Sequence, residues 1–209
     1  MTEENKRLFD LNRPIGIKVR TAKGIEMITV RFPTDEEWME RQQKRKLITL
    51  SLGRGTSETV VEDTDEIDAA LLSKIRVGQD GVEVDGFEAS TVFERLQRAE
   101  LVGDISYSSG QFRLVLSIHG EITTTHVLRM PTAKEENQYR KSFLRPVDMQ
   151  GSKQQTTINL GAAGELYKKL MVSVDGYAGG VPVVHQAIVI PAVMLATKTV
   201  LEDLGPVNP

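Results

Sequence analysis

Apolar positions along this chain recur first at the spacing of strands and then at that of helices, and the order occurs twice. Ile15, Ile17 and Val19 alternate with polar neighbours, and β-forming residues cluster over 25–32. Ala22-Lys23-Gly24 lies between them, so the two runs are expected to form a hairpin in which Gly24 takes a positive φ. Phe112, Leu114, Leu116 and Ile118 alternate in the same way. Residues 111–118 and 121–129 flank His119-Gly120 as a second hairpin, with 104–107 as an extra edge strand. Helical spacing follows each hairpin: 67–75 and 87–101 after the first, 166–171 and 182–204 after the second.

A short motif marks the switch from strand to helix in both halves. Arg31-Phe32-Pro33-Thr34 precedes Asp35-Glu36-Glu37, and Arg129-Met130-Pro131-Thr132 precedes Ala133-Lys134-Glu135. Each reads as proline followed by Thr-x-x-Glu, in which the Thr hydroxyl accepts from the N3 amide while the Glu reaches back to the Thr amide. Beyond the motif the halves stay in step. Leu52-Gly53-Arg54-Gly55 and 149–155 read as loops, and 78–81 and 175–180 read as glycine turns. The pattern predicts an α+β fold of two similar halves, each an antiparallel β-hairpin followed by about three helices. An internal duplication is the expectation, with 1–103 as the first repeat and 104–209 as the second, packed as one compact unit.

Composition narrows the class without choosing a function. The chain has 209 residues, 40% hydrophobic, which is enough for a proper core, but aromatics are only 5% and stacking platforms for single-stranded nucleic acid are not evident. It has no cysteine, which removes disulfides, thiolate metal sites and cysteine nucleophiles together. A net charge of -3 makes nucleic acid an unexpected partner. Residues 1–10 are charged and read as a frayed lead-in. The apolar run 187–196 contains Pro191 and is short against the roughly twenty residues needed to cross a bilayer. It reads as a buried helix, kinked or restarted at Pro191, that serves as core or as a subunit interface, and no membrane association is expected.

The sequence offers no catalytic, metal or cofactor-binding residues. His119, His126 and His185 show no ligand spacing, Thr56 and Ser57 have no adjacent base, and Asp63 with Glu66 and Asp85 with Glu88 repeat the capping pattern. Gly53-Arg54-Gly55 and Gly161-Ala162-Ala163-Gly164 are donor-rich but complete no phosphate-binding fingerprint. The helix after Thr34 carries acids first and bases last, with Glu37–Arg41 and Glu40–Lys44 at i,i+4. A self-satisfied surface helix accounts for this; the alternative is a basic patch of Arg41, Lys44, Arg45, Lys46 and Arg54. Together with Ile188 and Met194 on the last helix, these are the candidate interaction residues.

The stretches 31–38, 52–55 and 159–167 resemble uncharacterised proteins encoded in phage and prophage tail or structural-gene regions. The resemblance implies a virion component or an assembly factor such as a tail assembly chaperone. Its partners would be other phage-like structural or assembly proteins, a homo-oligomer among them, and its place the host cytoplasm or the virion. The expected function is therefore non-enzymatic and based on protein contact. The alternatives are a small-ligand or phosphate-binding protein using the glycine loops, and a phage-encoded inhibitor or adaptor of a host protein.

Overall fold

The computed structural model describes residues 8–44, 47–53, 56–61, 64–78, 81–150 and 153–203. These form a mixed α+β protein with six helices and antiparallel sheets, in two compact units. Residues 141–160 belong with 11–97, while 98–140 and 161–203 group with the segment 8–10.

The unit built on 11–97 begins with the expected hairpin, β1 (Ile15–Thr21) and β2 (Gly24–Val30), paired from Ile15↔Val30 to Thr21↔Gly24. Alternation places Ile17, Val19, Ile28 and Val30 in the core. Helix α1 (Asp35–Lys44) follows, and then a hairpin absent from the sequence-based expectation, β3 (Leu47–Gly53) with β4 (Thr56–Val61). Leu52 and Gly53, the first half of the stretch expected as a Gly-rich loop, are therefore strand. Arg54 and Gly55 lie outside the described residues. Helix α2 (Asp65–Ile75) returns the chain to β2, where Arg31 N donates to Ile75 O and Val77 N to Thr29 O, both at 2.9 Å. Helix α3 (Gly86–Leu96) lays Ala89, Val92, Phe93 and Leu96 into the core at helical spacing.

The expected third helix stops at Leu96, and Ala99–Leu101 becomes strand β5. Pairing decides this: Ala99, Glu100 and Leu101 lie opposite Ile118, Ser117 and Leu116 of β7 (Gln111–Ile118). β6 (Ser106–Ser108) pairs with the other end of β7, near the edge strand expected at 104–107. β7 and β8 (Ile122–Arg129) form the expected hairpin around His119 and Gly120, whose φ values of 54° and 72° are both positive, the conformation of the central pair of a turn that Glu121 N closes by donating to Ile118 O at 3.1 Å. Helix α4 (Ala133–Phe143) leads to β9 (Leu144–Gln150) and β10 (Lys153–Ile158), a hairpin where a polar loop was expected. It joins the first unit's second hairpin in a four-stranded sheet ordered β4-β3-β10-β9.

Helix α5 (Leu160–Leu170) starts earlier than its sequence pattern indicated, because Gly161 to Gly164 are helical. Helical glycine costs about 1 kcal/mol relative to alanine. At Gly164 the reason is close packing: an added Cβ would lie 3.1 Å from Gln186 Oε1 and 3.5 Å from Val183 Cγ2. β11 (Met171–Asp175) then pairs with β8 at the sheet edge, and α6 (Val183–Asp203) runs as one helix with Pro191 inside it. The helix does not restart at Pro191. By length and composition, 183–202, longer than the run 187–196, is also sufficient to span a bilayer; half of it is buried within the protein.

Candidate functional site

The repeated motif builds the same corner twice. Thr34 N donates to Glu37 Oε2 at 2.9 Å and Glu37 N donates to Thr34 Oγ1 at 3.2 Å, while Thr132 and Glu135 exchange the same bonds at 2.9 and 3.3 Å. Both are capping boxes, as the sequence indicated. The arginine that opens each motif completes it. Arg31 grips the Glu37 carboxylate through both terminal nitrogens, and Arg129 grips Glu135 likewise. The hydrogen bonds from Arg129 are the main reason the Glu135 carboxyl is held down at about 2, and those from Arg31 likewise lower Glu37. Asp85 caps α3 by accepting from Glu88 N at 2.7 Å, but Glu88 does not reach back; its Oε1 accepts from Arg20 N of β1 instead.

With Glu37 engaged by Arg31, the i,i+4 partner expected for Arg41 is taken. Arg41 instead stands three residues after the buried Trp38 on the inner face of α1, where it is only 2% exposed. A guanidinium that deep needs a carboxylate. Asp68 of α2 supplies it, bound to Arg41 Nε at 2.6 Å and to a terminal nitrogen at 2.8 Å, with Ser90 Oγ donating to the same carboxylate at 2.7 Å. The Arg41 guanidinium also lies 4.7 Å from the centre of the Phe93 ring. Arg41 is therefore turned away from any surface patch. Lys44 is exposed and bonded to Glu40 at 2.6 Å, as its spacing predicted. Arg45, Lys46 and Arg54 lie outside the described residues. Around Glu40 and Lys44, an open groove of about 270 Å³ between α1 and α2 is lined also by Glu66, Ile67, Leu71 and Lys74.

The other unit holds a buried polar cluster that sequence spacing did not reveal. His126 and His185 are fully buried, and Tyr177 Oη lies 3.3 Å from His126 Nε2 and 3.2 Å from His185 Nδ1. Tyr167 Oη meets His126 Nδ1 at 2.7 Å, and Thr124 Oγ1 meets Nε2 at 3.2 Å. Burial drives both imidazoles toward the neutral form, His126 to about 4 and His185 to about 3, and raises the Tyr167 and Tyr177 hydroxyls. The network is consequently uncharged at neutral pH. Phe9 packs edge-on against it, with ring centres 5.1 Å from His185 and 5.8 Å from Tyr177, and is tied by Phe9 N to Gly176 O and Ala178 N to Phe9 O. Phe9, in the segment expected to be frayed, is thus docked, and residues 1–7 lie outside the described residues. The one local signal for this cluster was His126 itself, which occupies an inward position in the alternation Thr124, His126, Leu128.

Helix α6 divides its apolar residues between core and surface. Val189, Ile190, Val193 and Met194 are buried, which places the candidate Met194 in the core. Ile188 and Ala192 are half-buried and Leu195 is 69% exposed; the three follow i, i+4, i+7 along one stripe. Among the described residues no group of three or more His, Asp or Glu side chains is placed to hold a metal ion. No family model, curated protein or solved structure matches the chain.

Proposed function

We propose that this chain is a non-enzymatic, phage-like virion component or assembly factor that acts through protein contact, and that it consists of two copies of one ancestral unit. The observation that carries the contact reading is the stripe Ile188, Ala192, Leu195, with Leu195 at its outer end. Leu195 is 69% exposed and Leu201 53%, outside the buried face of Val189, Ile190, Val193 and Met194, and contiguous exposed apolar area marks contact surfaces. The resemblance of 31–38, 52–55 and 159–167 to phage tail-region proteins supports partners of the virion or assembly class.

The repeat reading draws on the paired corners and on the element order. Both 15–75 and 111–170 run hairpin, helix, hairpin, helix, and each then brings a residue back to pair with the end of its first hairpin, Arg76 with Val30 and Met171 with Leu128. An Arg-x-Pro-Thr corner at the same place in both lends the order a common origin.

The test is affinity purification of the chain from host cells expressing the surrounding phage genes, with Leu195→Asp as the contrast. The expected result is co-purification of a virion or assembly protein with the parent chain, and its loss from a variant with unchanged circular dichroism. Purification of both proteins without such a partner would end the reading.

A further inference from the structure

We propose that the chain associates with further copies of itself head to tail, the β9 edge of one copy pairing with the β4 edge of the next. The proposal rests on the repeat reading above and names a second copy of this chain as the partner.

The two second hairpins meet asymmetrically, through β3 of one and β10 of the other. Equivalent hairpins can join symmetrically, first strand to first strand or second to second, and such a contact is closed by its own two-fold axis. The sheet order β4-β3-β10-β9 is different, because β3 is the first strand of its hairpin and β10 is the second strand of the other. A first-to-second contact consumes one strand of each kind and leaves one of each kind at the edges. Those edges are β9, a first strand, and β4, a second strand, and no strand lies beyond either among the described residues. They repeat the pair already joined inside the sheet. Direction also agrees: all three contacts in the sheet are antiparallel, so β4 of a second copy meets β9 in the sense that continues the alternation.

Register carries the pattern further. Thr49 of β3 faces Thr59 on one side and Gln154 on the other, and Leu50 faces Glu58 and Lys153. Thr59 and Gln154 are thus the flanking equivalents. Gln154 in turn faces Met149 of β9, so repeating the step places Thr59 of the next copy opposite Met149. Pro146 has no N–H to donate and stands beside the register shift between Gln155 and Thr156, which confines new pairing to 147–150. Open strand edges are templates for such addition. A contact of this heterologous type closes into a ring or continues as a filament.

The absence of cysteine from the chain makes disulfide trapping specific. Facing residues of an antiparallel pair lie about 4.5–5.5 Å apart at Cα, within the reach of a disulfide. In the full chain, Thr59→Cys combined with Met149→Cys is expected to give a ladder of covalent oligomers under oxidising conditions. A mixture of the two single variants should stop at dimers, and the wild type should sediment as concentration-dependent oligomers. Met149→Lys, a charge on the edge, should shift that association to concentrations higher by about tenfold or more. A wild-type chain that sediments as a monomer throughout, with no ladder from the double variant, would overturn the proposal. Such a monomer that still captured an assembly protein through Leu195 would leave the proposed function standing, whereas a ladder without such a partner would support self-association alone.

Discussion

Arg129 holds the Glu135 carboxylate with both terminal guanidinium nitrogens, at 2.9 and 2.6 Å, while the same carboxylate accepts from Thr132 N at 2.9 Å. One glutamate therefore fixes the end of a strand and the start of a helix together. Arg31 and Glu37 repeat the arrangement at 2.7 and 2.6 Å. Both corners are partly exposed, so the ion pairs themselves contribute modestly and the capping bonds contribute about as much.

Removing one element of a corner should cost little but measurably. Thr34→Ala and Thr132→Ala are each expected to lower unfolding free energy by about 0.5–2 kcal/mol in a denaturant titration. The pH dependence has a definite sign. Because the folded-state pKa of Glu135 is depressed to about 2, its contribution is complete above the unfolded value near 4.5 and is lost as pH falls toward 2. Glu135→Gln should flatten the acid limb of the stability curve in that window.

The buried Arg41–Asp68 pair gives a sharper contrast. Arg41 and Tyr139 both stand seven positions after the Thr of their motif (41 − 34 and 139 − 132), and Asp68 and Ala163 both stand seven before the end of their helix (75 − 68 and 170 − 163). If the halves are repeats, one carries an ion pair where the other carries tyrosine and alanine. Asp68→Ala alone leaves Arg41 buried without its carboxylate and should cost about 3–5 kcal/mol. Arg41→Tyr with Asp68→Ala should recover most of that loss, since apolar replacement of a buried pair is often neutral. Recovery is read from the midpoints of urea unfolding. Two losses that simply add would count against the equivalence.

Acid should also act through the histidines. Both imidazoles are held below their ordinary value near 6.5, so the unfolded chain binds protons that the folded one refuses. Their contribution is complete above about 6.5 and declines as pH falls toward 4, by up to about 1.4 kcal/mol per pH unit for each group. Thermal unfolding of His185→Leu compared with wild type between pH 7 and pH 4 should show a shallower decline in the variant. Parallel declines would mean that His185 is not held neutral in the fold.

Several features were settled by sequence because they depend on neighbours along the chain. The hairpins β1–β2 and β7–β8 follow from alternation on either side of a turn, and the capping boxes follow from a three-residue spacing that any helix start can use. The Glu40–Lys44 pair is local in the same sense. What the sequence did not contain is any choice among distant partners. β3 carries a local alternation, Ile48, Leu50 and Leu52 between Thr49 and Ser51, but β4, β9 and β10 lack a strong one, and the two hairpins join across about a hundred residues of chain, as Thr49 pairs with Gln154. The pattern at 99–101 continues that of a helix, and pairing with β7 makes it strand β5 instead. Arg41 has a helical neighbour of the right charge at Glu37, yet burial beside Trp38 and the prior claim of Arg31 send it to Asp68. His126, Tyr177 and His185 share hydrogen bonds only because a sheet, a turn and a helix converge. Local propensity determined which segments are regular; pairing and burial, which act between segments far apart in sequence, decided what each one touches.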